Sequence, residues 1–598
     1  MKVVCCVLAL FTSFSIAVRA ATLNSHPLWK ADRLPDFYYE VLSRAVDLQA
    51  RCQAADGRFR TRLPRSGDSE SGWRITGMQF IYAPALLYVT DHPANPKKGD
   101  RAVLEMALKA GDYLAAVVGP DGEVRPTVDG RPVDNLDAHR TMYCWTEAYA
   151  LLEPYLDPAR KKSWREAIQR GGKAIFEQEV APRTERPRYT SPFLGFSPNH
   201  MGLRSTTVWR MGMVLGIDEW VQRLEPALVR FIAEIRPGGY WEEHNGPTMS
   251  YDYLNVTVPA LYWHYRHDPE ALRACRLNTD YHLHWTTPDG VDIHTVDQRN
   301  RNHFEPSAGY GLFAFCNFPE GRRYTRFKIL AALGDSDDPL AELGLESLAR
   351  IAQAAHYHTD GPELPIPQEL PKYRHELDRP AVVKKDGPWV YSMSALVGPS
   401  RPLSQFYLDR IAPISLWHEK TRYIIGGGNS KDQPELATFS VKRADGSHDC
   451  LPLDGLIRGS WDADTLCVAH EGFSLRLTFD LRDANIAVIR AQAERTYDRR
   501  GDTAQLNLPL VLHPGATLVS DGTNRTLRED PLTLDGPKSI AAAGWTIQPP
   551  PGAHFQWPYY IYNPYGDVRV SKDIRNALAV LSVPLKDENW VEVKLTIE

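Results

Sequence analysis

The spacing of apolar residues changes once along this chain, and that change constrains the fold more than any other feature of the sequence. Between about residues 37 and 355, apolar residues recur three and four positions apart, as in FYYEVLSRAVDLQA and RAVLEMALKAGDYLAAVV. That spacing is typical of the buried stripe of an amphipathic helix. After about residue 388 the period becomes two, as in FSLRLTFDL and WVEVKLTIE, which is typical of strands with one buried face. The sequence therefore predicts a multidomain chain, helical first and β afterwards.

The helical part has about ten amphipathic segments with no strand pattern between them, so the helices must bury their stripes against one another. No fixed-period repeat accompanies them, which disfavours an open solenoid. We expect an α/α toroid of helical hairpins over residues 21–357. About ten alternating strands predict an antiparallel β-sandwich over residues 388–598. The Pro-rich, charged stretch at residues 358–387 predicts a linker.

The first twenty residues, MKVVCCVLALFTSFSIAVRA, have the pattern of a secretory signal peptide. A basic start at Lys2 precedes an apolar core, and small residues at Val18 and Ala20 suit a signal peptidase. No later stretch approaches the roughly 18 consecutive apolar residues that a membrane-spanning helix needs. We expect a secreted or periplasmic protein without a membrane partner.

Charge and cysteine content exclude some classes of partner and scaffold. The formal net charge of −5 gives no electrostatic reason to expect a nucleic-acid partner, and an anionic substrate would need a local cluster of arginines. Six cysteines follow the signal peptide, without CxxC spacing, so neither a zinc ribbon nor a disulfide-dense scaffold is indicated. Cys450 and Cys467 are the pair best placed for a disulfide, and buried free thiols are the alternative.

Three polar stretches in the helical part are candidates for chemistry. In SPNHMGLR, Asn199 and His200 come just before a helix, where an Asn is commonly a cap. In GGYWEEHNGPTMSYDYLNV, His244 precedes Tyr253 by nine residues, and the fold can bring a loop and the next helix together. The alternative for this second stretch is that Tyr251 and Tyr253 lie at the rim of a helix bundle.

The third stretch, DGVDIHTVDQRNRNHF, places Arg299 and Arg301 two residues apart in a loop, where they could hold a carboxylate. A structural ion-pair network with the neighbouring aspartates is the alternative. The histidines and aspartates have no recognised metal-ligand spacing, so we expect no catalytic metal and no required cofactor, although a structural divalent cation is compatible with the sequence. In the β part, the Gly-Gly-Gly of ISLWHEKTRYIIGGGNSKDQPE indicates a tight hairpin rather than a phosphate site.

The segment GYWEEH, followed after eight residues by YLNV, resembles the hyaluronate, chondroitin AC and xanthan lyases. His244 and Tyr253 match the histidine and catalytic tyrosine of that family, and Asn199 lies where its catalytic asparagine is expected. Arg299 and Arg301 fall in its arginine-rich segment, although the family's arginines are usually four residues apart. The adjacent Asn199 and His200 are also similar to the Asn-His pair of the alginate and heparinase II/III-like lyases, whose catalytic tyrosine would correspond to Tyr253 or Tyr251. Both families have an α/α toroid followed by β-sandwich domains.

These resemblances imply a polysaccharide lyase that acts on an acidic polysaccharide or oligosaccharide by β-elimination. Asn199 would neutralise a uronate carboxylate, and Tyr253 would take the C5 proton with help from His244 and Arg299. A tyrosine, with a reference pKa of about 10, needs a nearby cation or donor for that task. His200, Arg301 and Tyr251 would bind the substrate, and His200 takes the histidine role in the heparinase-like alignment.

Two other functions remain open from the sequence. A glycoside hydrolase on the same scaffold would use two carboxylates from Glu242, Glu243, Asp137 or Asp252. A noncatalytic glycan-binding protein would use the aromatic and arginine side chains without turnover. The nature of the products separates the three.

Overall fold

The computed structural model describes residues 33–60, 73–128, 131–132, 138–180, 198–243, 246–297, 299, 304–334, 340, 343–397, 405–459, 463–497, 501–564, 570, 572–586 and 589–598. The predicted signal peptide, His244 and Arg301 lie outside the described residues. The chain forms two compact units. The first, here the helical unit, comprises Met1–Ile235, Tyr253–Thr279 and Pro306–Leu364, and the second, the β unit, comprises Arg236–Asp252, Asp280–Glu305 and Pro365–Glu598.

The α-helices fall where the three-and-four spacing of apolar residues predicts them. Several begin at the capping residues expected of helices: Asp100 accepts a hydrogen bond from the Ala102 N–H, and Asp157 accepts one from the Arg160 N–H just before a proline. The described helices are α1 Leu34–Ala50, α2 Tyr82–Val89, α3 Arg101–Val117, α4 Ala138–Leu152, α5 Pro158–Ile175, α6 Pro198–Leu215, α7 Asp218–Ala233, α8 Met249–Asn255, α9 Thr257–Arg266, α10 Pro269–His284, α11 Leu312–Phe315, α12 Pro319–Leu333 and α13 Leu345–His356.

Within the helical unit the last helix packs against the first ones. α13 contacts α1 and α2, while α4 packs against α6, and α6 against α7. A continuous succession of neighbours that ends where it begins is what distinguishes a closed ring of hairpins from an open solenoid. The buried stripes of these helices supply the interior of the ring.

The strands follow the predicted period of two, with buried and partly exposed residues alternating in β11 and β12. A short hairpin, β1 Thr127–Val128 and β2 Arg131–Pro132, precedes them. The other strands are β3 Lys372–Glu376, β4 Ala381–Asp386, β5 Trp389–Ser394, β6 Ile414–His418, β7 Arg422–Ile425, β8 Phe439–Lys442, β9 His448–Asp449, β10 Asp454–Gly459, β11 Asp464–His470, β12 Phe473–Leu481, β13 Ile486–Arg495, β14 Thr503–Leu510, β15 Thr517–Ser520, β16 Thr523–Thr526, β17 Leu532–Asp535, β18 Ile540–Ala542, β19 Trp545–Gln548, β20 His554–Tyr559, β21 Leu578–Pro584 and β22 Val591–Ile597.

The β unit is a sandwich of two antiparallel sheets. One has nine strands in the order β10-β11-β12-β13-β22-β19-β18-β15-β16, and the other follows the path β17-β20-β21-β14-β7-β6-β5-β4-β3, with β8 and β9 at its side. Apolar residues from both sheets, such as Leu477, Ile489 and Leu508, form one buried core. The predicted order of a helical part followed by an antiparallel sandwich is confirmed.

Two parts of the chain differ in detail from the sequence expectation. The segment predicted as a linker contains β3 and β4, because apolar residues such as Val383 pack into the sheet despite the neighbouring prolines and charges. Segments 236–252 and 280–305 lie in the β unit, since Tyr240, Trp285 and Ile293 join a cluster with residues of the eleven-stranded sheet. The domain boundaries at residues 357 and 388 stay predictions.

The structure also shows whether any described helix could span a membrane and whether the described cysteines form disulfides. In the part of the chain that it describes, no helix has the length and apolar character to cross a membrane. Cys450 and Cys467, like the other four described cysteines, are free thiols.

Candidate active site

Asn199, the second residue of α6, has an unsatisfied side chain in a buried place. It is 1% exposed, and neither its Oδ1 nor its Nδ2 has a hydrogen-bond partner among the described residues. A capping asparagine would accept a backbone N–H, and no such bond forms within that part of the chain. Leaving a buried amide without hydrogen bonds costs about 1–3 kcal/mol. A capping role does not explain the burial of Asn199, whereas hydrogen bonds to a ligand could.

A cluster of basic side chains lies in the same unit. His139, the second residue of α4, is buried, and its Nε2 has no partner among the described residues. Burial lowers the pKa of His139 well below its usual value, and the positive charges of Arg140, Arg204 and His200 lower it further. The imidazole is therefore neutral near pH 7, and three other basic side chains lie close enough to influence it. This concentration of positive charge suits an anionic ligand.

Arg140 also reaches a cavity of about 40 Å³ in the helical unit, with room for about three water molecules. Its Nη1 donates to the Tyr310 hydroxyl at 3.1 Å, and the Arg350 guanidinium lies 3.4 Å from the centre of the same ring. The Tyr310 hydroxyl donates to Glu346 at 3.2 Å. Two arginines and one carboxylate thus surround one phenol, and the phenol is held in place from three sides.

Tyr253, on α8, is 2% exposed and faces the interior of the helical unit. Its hydroxyl is 2.8 Å from the Tyr324 hydroxyl, and its ring meets the Phe315 ring edge-on at 6.0 Å. The ring lies so close to Gly309 that a Cβ there would come within 2.4 Å of it, so only glycine fits. These contacts hold the Tyr253 ring in one orientation inside the helical unit.

Tyr251, two residues earlier on the same helix, is partly exposed and lies beside a guanidinium of the β unit. The Arg299 guanidinium carbon lies 5.1 Å from the centre of the Tyr251 ring and 4.8 Å from that of Phe406. Arg299 is buried and pairs with Glu243 at 3.2 Å. Both rings and the carboxylate fix the guanidinium, so Arg299 is suited to positioning Tyr251.

Asp297, close to Arg299 in sequence, carries a perturbed carboxyl. Burial raises its pKa to about 6, while hydrogen bonds from the backbone N–H groups of Arg299 and Ser250 act in the opposite direction. Asp292 adds a further rise through charge repulsion. The loop that the sequence marks for its arginines therefore also contains a carboxyl that titrates near neutral pH.

The carboxylates that a hydrolase would use are engaged elsewhere. Glu242 pairs with Arg379, and Asp252 accepts a hydrogen bond from the Trp241 backbone N–H at 3.0 Å. Glu243 is the partner of Arg299. Asp137 lies outside the described residues, so none of the described candidates is a free carboxylate facing a second one.

Two other sites considered from the sequence find no support for a ligand role. No group of three His, Cys, Asp or Glu side chains within the described ranges could hold a metal ion. The triple-glycine segment follows β7, where a Cβ on Gly427 would lie 1.9 Å from the Ile414 carbonyl oxygen. Close backbone approach explains this glycine.

The residues that the sequence singles out are divided between the two units. Asn199, His200 and Tyr253 belong to the helical unit, whereas Arg299 and Tyr251 belong to the β unit. Sequence reasoning missed His139 and Arg140, whose only signal is a His-Arg pair at the start of the helix HRTMYCWTEAYALL.

Comparison with known proteins gives matches among solved structures alone. No protein-family model and no curated protein matches the chain. A heparinase III structure matches with a TM-score of 0.51 at 11% identity, covering 92% of this chain and 84% of the other. The Streptomyces coelicolor A3 chondroitin AC lyase matches with a TM-score of 0.48 at 12% identity, over 95% and 80% of the two chains.

A Paenibacillus xanthan lyase also matches, with a TM-score of 0.48 at 11% identity, over 97% of this chain. This chain spans 57% of the length of that lyase. At these identities the match to heparinase III establishes a shared fold, that of a helical domain followed by a β-sandwich.

Proposed function

We propose that this protein is a polysaccharide lyase that cleaves uronate-containing glycans by β-elimination. The observation that carries the proposal is Asn199, a buried amide whose donor and acceptor atoms are both unpaired among the described residues. The shared fold with heparinase III makes a lyase the natural class. Fold alone does not determine activity, which depends on the chemistry of the side chains at the site.

The chemical difficulty in such a reaction is the removal of the C5 proton beside a carboxylate anion. Charge must move onto the carboxylate oxygens in the transition state, and a fixed hydrogen-bond donor stabilises it there. The Asn199 amide would donate to one of those oxygens. As a base removes the proton, the electron pair forms the C4–C5 double bond, and the C4–O bond breaks. The leaving glycosidic oxygen takes up a proton, and the products are one fragment with a new reducing end and one fragment with a 4,5-unsaturated uronate at its nonreducing end.

The basic cluster of His139, Arg140, Arg204 and His200 supports an anionic substrate. Guanidinium groups bind carboxylate and sulfate with paired hydrogen bonds, and Arg140 is already oriented by Tyr310. With a formal net charge of −5 for the whole chain, such a local cluster is the feature that an acidic glycan requires.

A tyrosine of α8 is the base in this proposal, and Tyr253 is the first candidate because it belongs to the same unit as Asn199. The Lys328 ammonium lies 5.5 Å from the centre of the Tyr253 ring, and a cation near a phenol favours its ionised form. Tyr251, whose ring lies beside the Arg299 guanidinium, is the alternative base. The roles of His244 and Arg301 remain proposals that rest on the sequence resemblance.

Product analysis tests the function. The purified protein is incubated with hyaluronan, chondroitin sulfate, heparan sulfate, alginate and plant glucuronate-bearing glycans. We expect an ultraviolet-absorbing unsaturated product from at least one of them. Saturated products would instead identify a hydrolase, and absence of any product would identify a glycan-binding protein.

A matched pair of variants tests the base. Tyr253→Phe should lower kcat by about 10²- to 10⁴-fold, as expected for loss of a general base, and should cost about 1 kcal/mol of stability because it removes the hydrogen bond to Tyr324. Tyr251→Phe should keep kcat within a few-fold. The reverse result would make Tyr251 the base.

We also infer that the protein is exported, since its first twenty residues have a signal-peptide pattern. A polymeric substrate outside the cell is consistent with that address. Expression of the full chain, followed by N-terminal sequencing of the exported protein, should give a start at Ala21.

A further inference from the structure

The outward face of the nine-stranded sheet contains a groove that the proposed reaction does not use. It has a volume of about 820 Å³, in the range of ligand-binding clefts, and every residue that lines it belongs to the β unit. The lining side chains come mainly from β10, β11, β12, β13 and β22, five consecutive strands of the sheet.

The register places polar side chains directly opposite one another across these five strands. Arg458 pairs with Thr465, Thr465 with Thr478, Thr478 with Arg490, and Arg490 with Glu592. Strands lie about 4.8 Å apart, so this row extends over about 19 Å. The neighbouring row includes Cys467 opposite Arg476. A row of that length matches several linked sugar rings better than one small molecule.

An exposed indole lies at the end of the groove. Trp590 directly precedes β22 and is 47% exposed, and it is the only tryptophan in the described part of the chain with so large an exposed fraction. A solvated sheet face is adequately covered by small polar and charged residues, and a tryptophan there leaves much apolar surface in water. The flat apolar face of a sugar ring covers such an indole while its hydroxyls remain free for hydrogen bonds.

The polar groups of the groove are arranged for an acidic chain. Arg490 is held by Glu592 at 2.9 Å and by Asp480 at 3.4 Å, which leaves little charge for a ligand. Arg458, in contrast, forms no ion pair with any described residue and is exposed. The Thr465 and Thr478 hydroxyls beside it form no hydrogen bond within the described ranges. Counting described residues alone, the row that ends near Trp590 thus contains one guanidinium without an ion pair and two hydroxyls without a hydrogen bond.

From these observations we propose that the groove is a second, noncatalytic binding site for a stretch of acidic polysaccharide. Trp590 stacks on a sugar ring, Thr465 and Thr478 bond its hydroxyls, and Arg458 pairs with a carboxylate or sulfate. The choice of an acidic rather than a neutral glycan rests on the proposed function. A second site on the same chain raises the effective concentration of polymer at the protein without changing the chemical step.

Binding is tested on the full chain with Asn199→Ala in the background, so that the polymer is not consumed. Mobility in native gels that contain chondroitin sulfate, heparan sulfate or alginate gives the affinity, with neutral dextran as control. We expect Trp590→Ala to weaken binding of an acidic polymer about tenfold or more and Arg458→Ser to flatten its salt dependence. Tyr497→Ala is the matched control, since Tyr497 is 46% exposed in the same unit but does not line the groove.

A second readout locates the bound polymer. Cys467 lines the groove and is partly exposed, whereas the partly exposed Cys52 lies in the helical unit. Polymer should slow alkylation of Cys467, measured by peptide mass spectrometry, and leave Cys52 unchanged. Equal affinity of the Trp590→Ala and parent chains, together with unprotected Cys467, would overturn the proposal.

Separate measurements test the acidic character of the ligand and the lyase activity. Equal retention by neutral dextran would overturn the assignment to an acidic glycan. Activity on a short oligosaccharide should be unchanged by Trp590→Ala in the wild-type background. If the wild-type chain yields no unsaturated product while Trp590-dependent retention persists, the lyase proposal fails and the groove stands.

Discussion

The helical unit and the β unit each contain a carboxylate–guanidinium pair of almost the same length, but in different surroundings. Glu147 in α4 accepts two hydrogen bonds from Arg210 at 2.8 and 2.9 Å, and Glu147 is fully buried. Arg490 donates to Glu592 at 2.9 Å on the outer face of the sheet, where the two side chains are 38% and 51% exposed. The two ion pairs therefore have equal distances but very different interaction energies, because the surroundings determine the strength of each interaction.

The comparison extends to the candidate sites. The helical unit keeps in its interior an amide without a hydrogen-bond partner among the described residues, at Asn199, and a neutral imidazole, at His139. The polar row of the groove, from Arg458 to Glu592, is partly or fully exposed, so water satisfies its side chains at no cost. Buried polar groups of the first kind lower stability unless a ligand pairs with them, which is a common property of catalytic sites. Surface groups of the second kind add affinity without straining the fold.

The largest expected effect is on the buried pair. Glu147→Ala leaves the Arg210 charge buried without its carboxylate and removes the acceptor of the Tyr357 hydroxyl, which lies at 2.8 Å. We expect the free energy of unfolding of the helical unit to fall by about 3–5 kcal/mol. Hydrogen exchange of peptides from α4 and α6 measures it without requiring the whole chain to unfold in one step.

The double variant Glu147→Leu/Arg210→Leu is the control for this prediction. It removes both charges and fills the space with apolar groups, so most of the lost stability should return. A single variant as stable as the parent would mean that water reaches the pair and that the contrast with the surface pair is wrong.

Asn199→Ala should separate activity from stability. Loss of a preorganised donor to a developing negative charge lowers kcat by about 10²- to 10³-fold. The free energy of unfolding should stay constant or rise, because the substitution removes a buried amide that has no partner among the described residues. Steady-state kinetics and chemical unfolding measure the two quantities on one preparation. A less stable variant with full activity would return Asn199 to a purely structural role.

The pH dependence of stability should have opposite signs in the two units. Because the pKa of His139 is lowered by burial and by Arg140, Arg204 and His200, the unfolded chain binds one more proton below about pH 6.5. That contribution to the free energy of unfolding is therefore lost as pH falls, by about 1.4 kcal/mol per pH unit. Burial raises the pKa of Asp297 to about 6, so its contribution is lost as pH rises from about 3.9 to 6.

Single variants separate the pH dependence of stability that His139 contributes from the one that Asp297 contributes. His139→Gln should make hydrogen exchange in α4 less sensitive to acid, while Asp297→Asn should remove the loss of protection that segment 280–305 shows as pH rises from 4 to 6. Changes of the same sign in both units would contradict the assignment of a buried neutral histidine and a buried neutral carboxyl.

The fold was largely predictable because it depends on a pattern that every helix and long strand repeats. The three-and-four spacing indicated the helical part, and the period of two indicated strands as long as β12 and β13. Strands of two to four residues, such as β9 and β18, contain too few positions to show any period. The inclusion of segments 236–252 and 280–305 in the β unit depends on contacts distant in sequence, which local patterns do not encode.

The candidate site was less predictable, for geometric reasons. Asn199 could be singled out by its position, but a cap and an unpaired amide have the same local sequence. Tyr251 and Tyr253 are two residues apart on a helix and so point about 200° apart. The packing of Phe315 and Tyr324 against Tyr253 decides which one is buried, and neither neighbour is near it in sequence.

The smallest expected effect is on the surface pair of the β unit. Glu592→Gln removes one charge opposite Arg490, but Asp480 remains within 3.4 Å of that guanidinium and both side chains are well hydrated. We expect the free energy of unfolding to change by about 0.2–1 kcal/mol, and the change to shrink further in salt because screening reaches exposed charges. Unfolding of the β unit in urea at low and high salt checks this. A loss as large as that of Glu147→Ala would show that the groove is far drier than its exposure indicates, and hence that charge pairing there resembles the interior of the helical unit.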